Sequence, residues 1–162
     1  MPAKTPPSAL EKALRLLSVR AYSASELTAR LLRGGYMREE AENAVRECAA
    51  RRYIDDELLA EDCATLWQNR GHGVRSIRCK LRQRGVPREI AAAVLAESAE
   101  HEAEAAVLAI DAKMPSLLRE HDLRKRRAKA LRFLAARGFS GEALRVAMKR
   151  LDAVGESETQ EE

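Results

Sequence analysis

The sequence predicts an all-α protein, an elongated array of three tandem three-helix repeats with about nine helices in total. Two observations predict this fold class. Sustained alternation of β-branched residues with polar ones, the pattern of half-buried strands, occurs nowhere in the 162 residues. A glycine-centred pattern instead recurs at intervals of roughly 50 residues, which is typical of stacked helical units.

Three segments reveal the repeat when they are aligned on a glycine. They read LTARLLRGGYMREEAENAV, IRCKLRQRGVPREIAAAVL and ALRFLAARGFSGEALRVAM. Gly35, Gly85 and Gly138 coincide, and each follows a leucine by four residues. Because glycine readily adopts the left-handed conformation that ends many helices, each one is expected to close the middle helix of its repeat.

The alignment also sets the expected domain boundaries. They are a flexible leader at 1–8, repeat 1 at 9–53, repeat 2 at 54–100, repeat 3 at 101–152 and a disordered acidic tail at 153–162.

Helix-capping residues place the helices of the first repeat. Ser8 with Glu11, and Ser23 with Glu26, each form a capping box, in which a serine precedes a glutamate by three residues. The first two helices are therefore expected to begin just after Ser8 and Ser23. The third is expected to span roughly residues 39–51.

In the second repeat, Asp55 and Asp56 are expected to cap a helix of roughly residues 57–69. Its apolar stripe, predicted to face the core, consists of Leu58, Leu59, Ala60, Cys63, Leu66 and Trp67. Gly71 and Gly73 then break the chain before the middle helix of this repeat.

The last helix of the second repeat is expected to open at Pro87, whose fixed φ suits a first helical position. The alanine-rich residues 91–112 are compatible with one long helix or with two. Met114 and Pro115 are expected to interrupt the third repeat, because proline removes a helical hydrogen bond.

Charge is unevenly distributed along the chain. The formal net charge is +4, yet the last eight residues, GESETQEE, hold four glutamates and no basic residue. Two segments are strongly basic. The first holds Arg70, Arg75, Arg78, Lys80, Arg82, Arg84 and Arg88, and the second holds Arg124, Lys125, Arg126, Arg127, Lys129 and Arg132. Such segments are typical of surfaces that bind phosphate or carboxylate groups, although a single charge run is often only a solvated helix face.

The first basic segment has helical spacing. With the apolar residues of its helix turned inward, Arg75, Arg78 and Arg82 share one outward stripe, and Lys80 with Arg84 flank the other side. A guanidinium can hold either a carboxylate or a phosphate through two parallel hydrogen bonds, so this chemistry leaves protein and DNA partners equally open.

Several other classes of protein are disfavoured. No apolar run approaches the roughly 18 residues of a membrane span, and the N-terminus lacks a signal-peptide core, so a soluble cytoplasmic monomer is expected. Cys48, Cys63 and Cys79 are odd in number and unclustered, which favours buried thiols over a disulfide or metal site. No cofactor is expected.

Enzymatic function is also disfavoured. The acidic residues Asp55 and Asp56 stand where helix caps are expected, and no histidine or further carboxylate follows at ligand spacing. His72 is expected in a loop facing solvent. Trp67 falls on the apolar stripe, where core packing is favoured over base stacking.

At this point the residues support a resemblance. The string YIDDELLAEDCATLWQNRGHGVRSIRCKLRQRGVPREI resembles the centre of the RecX family of bacterial recombination regulators, and the likeness extends over about residues 9–151. The matching positions are Ile54, Asp55, Asp56, Glu57, Gly71, Gly73, Ile77, Leu81, Gly85 and Val86. Leu58 and Leu59 stand where many members have an arginine and an aromatic residue, and the acidic tail lies outside the family pattern.

The resemblance implies a non-enzymatic protein that binds the RecA recombinase in the groove of its filament on DNA. It also implies that the protein restrains strand exchange, ATP hydrolysis and repressor cleavage. The expected partner-binding residues are those of the two basic segments: Arg70, Arg75, Arg78, Lys80, Arg82, Arg84, Arg124, Lys125, Arg126, Arg127, Lys129 and Arg132.

Two alternatives remain open at the level of sequence. Three-helix units with a basic second helix also describe sequence-tolerant DNA-binding modules, which would engage single- or double-stranded DNA without touching RecA. A helical scaffold for some other acidic partner is the second alternative.

Overall fold

The computed structural model describes residues 7–159, with side chains through residue 155. Within these residues the chain forms nine helices and no strand, which confirms the all-α prediction. The helices are α1 (Ala9–Leu17), α2 (Ala24–Arg33), α3 (Arg38–Ala50), α4 (Asp56–Asn69), α5 (Val74–Gln83), α6 (Arg88–Glu100), α7 (Glu102–Leu118), α8 (Leu123–Ala136) and α9 (Gly141–Thr159). None of them is long and apolar enough to cross a bilayer.

The described residues divide into two compact units. The first consists of residues 7–62 and 81–91, and the second of residues 63–80 and 92–159. The second repeat therefore contributes to both units, and α5 supplies its N-terminal part to the second unit and its C-terminal part to the first.

The core of the first unit lies between α1, α2 and α3. Leu27 and Leu31 are fully buried on α2 and pack with Ala13 of α1 and Ala41 of α3. Small residues such as these alanines allow helices to approach closely.

The core of the second unit lies between α7, α8 and α9. It is built around Ile110 and Leu117 of α7, Leu134 of α8 and Phe139 in the following turn, all of which are buried. Phe139, next to the glycine that ends α8, is the largest fully buried side chain described.

The local helix signals of the sequence are confirmed. Both predicted capping boxes are present, at the starts of α1 and α2. Gly35, Gly85 and Gly138 have φ of 90°, 68° and 78°, so each adopts the left-handed conformation after the middle helix of its repeat. Side chains rarely tolerate this conformation, which explains the glycine at each of the three positions.

Two expectations about helices are wrong, and one open question is settled. Leu58 and Leu66 are 55% and 47% exposed, so the buried stripe of α4 consists of Leu59, Ala60, Cys63 and Ala64 instead. Pro115 does not end the helix, since α7 continues through it to Leu118. Of the two arrangements that the sequence left open for residues 91–112, the structure shows two helices, α6 and α7, which separate at His101.

The termini differ from expectation in part. α9 continues to Thr159, so residues 153–159 are helical, although a disordered tail was expected from residue 153. Most of the expected leader, at 1–6, and the last residues, 160–162, lie outside the described residues.

Candidate functional site

The start of α2 meets the end of α5 within the first unit. The Ser23 hydroxyl donates a hydrogen bond to the Arg84 carbonyl, and the N–H of Ala24 donates to Asp56 Oδ1 at 3.0 Å. Asp56, the first residue of α4, therefore caps α2 of the neighbouring repeat. This corrects the expectation that it caps its own helix. Asp55 alone caps α4, accepting from the N–H groups of Glu57 and Leu58.

Arg84 stabilises this contact between α2 and α5 through an ion pair. Its guanidinium donates to both carboxylate oxygens of Glu26, at 3.2 and 2.9 Å, and to the Ala21 carbonyl. Burial by itself raises the pKa of Glu26, but the hydrogen bond and charge of Arg84, with the N–H of Ser23 and the charge of Arg20, outweigh it and hold the pKa below its ordinary value. Arg84 therefore has a structural role inside the first unit.

The start of α5 meets the end of α8 in the same manner within the second unit. The N–H groups of Gly73 and Arg75 donate to the carbonyls of Arg137 and Gly138, at 2.8 and 3.1 Å. Glu102, the first residue of α7 and 7% exposed, accepts from the N–H of Val74 at 2.8 Å. We call these two arrangements the inter-repeat joints. In each, a carboxylate from the first residue of the next repeat's first helix caps the middle helix.

Glu102 does more than its counterpart Asp56. The same oxygen, Oε1, also accepts from the N–H of Ser140, at 3.3 Å, just before α9 begins. One buried carboxylate therefore serves the starts of α5 and α9, where the helix dipoles favour negative charge.

The face of α5 that points away from Ile77 and Leu81 carries exposed arginines. Arg75, Arg78 and Arg82 are exposed, whereas Ile77 and Leu81 are fully buried. The structure thus places on one side of this helix the three arginines that share an outward stripe in the sequence.

Arg70 and Lys80 lie on an aromatic ring in the second unit. Lys80 Nζ is 3.6 Å and Arg70 Cζ 5.0 Å from the centre of the Trp67 ring. The His72 and Trp67 rings are perpendicular, with their centres 5.0 Å apart. A cation above an indole face is attracted by the ring quadrupole, so these contacts fix both basic side chains. Trp67 is half-buried beneath them and is not a fully buried core residue.

The surroundings of His72 disfavour a positive charge on its ring. Burial, and then the nearby charges of Lys80, Arg137 and Arg70, lower the pKa of His72 below its ordinary value. His72 Nδ1 also lies 3.1 Å from the Ser76 hydroxyl, which holds the ring in place. Because its pKa is lowered, the ring is neutral near pH 7.

Stability should therefore fall as the solution is acidified. Below about pH 6.5 an unfolded chain protonates His72 while the folded chain does not until its lower pKa is reached, so the free energy of unfolding decreases across that window. His72→Gln should reduce this loss in melting temperature between pH 7.5 and 5. His121→Gln, at an exposed histidine before α8, is the matched control, and an unchanged pH dependence in His72→Gln would contradict the prediction.

The second basic segment forms α8, where the cations have different surroundings. Arg126 is 8% exposed and its Nε donates to the Glu120 carbonyl, so it is a structural residue. Arg127 is exposed and forms an ion pair with Asp152 of α9. The remaining candidates are exposed on the same helix: Arg124, Lys125, Lys129 and Arg132. Nε of Arg132 and Nζ of Lys129 lie 3.3 and 3.4 Å from the backbone carbonyls of Ala128 and Ser116.

The fold and surfaces define a class of protein: a helical tandem-repeat protein with cationic helix faces. Among the residues that the structure describes, no group of three or more His, Cys, Asp or Glu is arranged to hold a metal ion. Models of the first, second and third three-helix domains of RecX match residues 9–48, 55–95 and 100–148. The chain belongs to the RecX family.

Individual relatives agree with this assignment. The chain is 32% identical to the "Regulatory protein RecX" of Vibrio parahaemolyticus over 141 residues, which cover 87% of this chain and 90% of that protein. It is 37% identical to the protein of the same name from Thermus thermophilus, over 81% of this chain and 83% of that protein.

Solved structures share the fold. The crystal structure of RecX from Lactobacillus salivarius superposes with a TM-score of 0.79 at 20% identity, covering 90% of this chain and 95% of that one. A second crystal structure of regulatory protein RecX gives a TM-score of 0.77 at 22% identity, covering 87% of this chain and 71% of that one.

Proposed function

We propose that this protein binds the RecA filament on DNA and restrains its strand-exchange, ATPase and repressor-cleavage activities. The observation that carries the proposal is the exposed arginine face of α5 in a chain that belongs to the RecX family. Arg75, Arg78 and Arg82 are exposed on it.

Regulation by binding alone, without catalysis, is part of this proposal. Asp55 and Asp56 belong to the sequence's most acidic cluster, and their carboxylates accept backbone N–H groups at helix starts. They serve as caps, which fits a structural role better than one in acid–base chemistry.

The remaining candidates form a second tier. Arg124, Lys125, Lys129 and Arg132 are exposed on α8 and would contribute to the same attraction for acidic groups. Arg70 and Lys80 contact the Trp67 ring, so their charges are partly engaged there and should contribute less to binding a partner.

The test replaces Arg75, Arg78 and Arg82 together by glutamate. Inhibition of RecA strand exchange should fall at least about tenfold, because each attraction becomes a repulsion at the contact. Helix content and melting temperature should stay near those of the unmodified protein, since exposed substitutions usually change stability by about 0.5 kcal/mol or less each. The matched control replaces three exposed arginines of the first repeat, Arg30, Arg33 and Arg46, by glutamate with the same change in net charge.

Binding to naked DNA separates the two partners that the sequence left open. A larger loss on RecA filaments than on naked single-stranded DNA supports direct contact with RecA, whereas equal losses favour the DNA-binding alternative. Affinity should also weaken as salt is raised, because the charges are screened and phosphate-bound counterions are released. Full inhibition by the folded α5 variant would move the site away from this helix.

A further inference from the structure

Trp67 of the second unit lies near the surface, beneath basic side chains. It is half-buried, and Lys80 Nζ and Arg70 Cζ lie 3.6 and 5.0 Å from the centre of its ring. The His72 ring stands perpendicular to it. Phe139 of the same unit shows the contrasting case, a ring fully buried among apolar side chains. Trp67 is therefore placed where a ligand would meet a large aromatic ring and two cations together.

A second ring in the same unit has the same kind of cover. Phe133 of α8 is partly buried, and Arg137 Cζ and Lys113 Nζ lie 4.7 and 5.7 Å from the centre of its ring. Nη1 of Arg137 also donates to the backbone carbonyl of Arg70 at 2.6 Å. Because the side chain of Arg70 covers Trp67, the Arg137 guanidinium connects the surroundings of the two rings.

The basic side chains of this surface lie close enough to repel one another. Burial, and then the charges of Lys80, Arg137 and Arg70, lower the pKa of His72, and each of these three neighbours is a cation. Glu102, which caps α5 nearby, is buried, and its Oε1 already accepts two N–H groups. Like charges held together cost free energy in the folded chain, and a bound anionic ligand would relieve that cost.

The chemistry of the ligand follows from the cations that already lie on the Trp67 ring. A carboxylate or phosphate alone would draw Lys80 and Arg70 away, and the favourable contact between cation and indole would be lost. A nucleotide replaces both contacts, because its phosphate pairs with the cations and its base stacks on the ring. A single strand carries several nucleotides and so has a base for each of the two rings. The bases of a duplex remain stacked on one another and offer the rings nothing.

We infer that the second unit binds single-stranded nucleic acid by stacking a base on Trp67, while Lys80 and Arg70 move from the ring to the neighbouring phosphates. Phe133, with the basic side chains beside it, takes a further base of the same strand. This site does not depend on the proposed function, because it rests on contacts within the second unit and its tests contain no RecA.

Tryptophan fluorescence gives a direct measurement, since the chain has one tryptophan. Oligothymidylate should quench it, because the stacked base contacts the indole. An abasic strand of the same length, which carries the phosphates without the bases, should leave the fluorescence nearly unchanged. Equal quenching by the two strands would overturn the inference, since the attraction would then be purely ionic. Quenching by thymidine monophosphate at the same affinity as by the strand would also overturn it, because the ligand would be a free nucleotide.

Substitution of the ring tests the same contact through affinity. Trp67→Leu should weaken binding of fluorescein-labelled oligothymidylate about tenfold, measured by anisotropy, and binding of the abasic strand by less than about twofold. Trp67→Phe keeps a ring and should retain most of the affinity. The matched control is Tyr53→Leu, which removes a 54% exposed ring of the first unit and should leave the affinity unchanged.

Circular dichroism would establish that the Trp67→Leu protein is folded. A folded Trp67→Leu protein that binds oligothymidylate as tightly as the Tyr53→Leu protein would refute the stacking contact. If Trp67→Leu does not fold, the comparison of the two strands by quenching in the unmodified protein decides.

Failure of this site and failure of the proposed function give different results. If oligothymidylate quenches the fluorescence but the unmodified protein does not inhibit RecA strand exchange, the proposed function fails and the base-stacking site stands. If the protein inhibits strand exchange but oligothymidylate causes no quenching, the base-stacking site fails and the proposed function stands.

Discussion

Gly138→Ala should lower the free energy of unfolding by about 3 kcal/mol. Two costs combine. The residue has φ of 78°, which costs an L side chain about 1–2 kcal/mol. A Cβ would also lie 2.5 Å from the backbone nitrogen of Ser76 at the start of α5, and backbone cannot rotate away.

The equivalent glycines of the other repeats provide a graded control, measured by urea unfolding. Gly35 has φ of 90° but no atom within 4 Å of its Cβ position, so Gly35→Ala should show only the cost of the dihedral, about 1–2 kcal/mol. Gly85→Ala should fall between the two, because its Cβ would meet Cβ and Oγ of Ser25 at 2.8 Å but no backbone atom. Equal losses at Gly35 and Gly138 would show that the joint in the second unit is looser than described.

Glu102→Ala should cost about 3 kcal/mol as well. The substitution removes the acceptor of two N–H groups, those of Val74 and Ser140, and hydrogen bonds to charged groups contribute about 1.5–3 kcal/mol each. Glu102→Gln keeps a carbonyl oxygen but loses the charge, so its loss should be smaller.

The matched control for Glu102 is Glu104→Ala, an exposed residue in the same first turn of α7. It should change the free energy of unfolding by about 0.5 kcal/mol or less. Asp56→Ala, which removes one such hydrogen bond from the first unit, should cost about 1–2 kcal/mol. A Glu102→Ala protein as stable as Glu104→Ala would contradict the capping role assigned to Glu102.

Features that depend on residues a few positions apart could be predicted from the sequence. The capping boxes at Ser8 and Ser23 join groups three residues apart, and the positive φ of Gly85 reflects its own missing side chain. The repeat itself was visible because these local features recur.

Features that depend on distant partners could not be predicted. Asp56 and Glu102 look like ordinary first-turn acids, yet their acceptor oxygens serve N–H groups 32 and 28 residues away. Their equivalence is also hidden by length, since α4 has 14 residues and α7 has 17, which shifts the spacing to the following glycine. A comparison anchored on helix starts instead of glycines would have paired them.

The candidate site shows the same limit. Helical spacing alone placed Arg75, Arg78 and Arg82 on one exposed side of α5. It could not show that Arg84 and Arg126 have partners inside their units, because the partners of a charged side chain are set by the tertiary fold. The prediction that Leu58 lies in the core failed because periodicity gives the direction of an apolar stripe around a helix but not its width.

The inter-repeat joints specify which residues one repeat needs in order to join the next. Each connection needs an acid at the first position of a repeat's first helix, and a glycine after the middle helix of that same repeat. Among the described residues, the start of α8 receives no such carboxylate acceptor from another repeat and is capped by its own Asp122. Adding a fourth repeat by design would therefore require replacing Asp122 and placing an acid like Glu102 at the first position of the new repeat's first helix. That acid would then cap α8 as Glu102 caps α5.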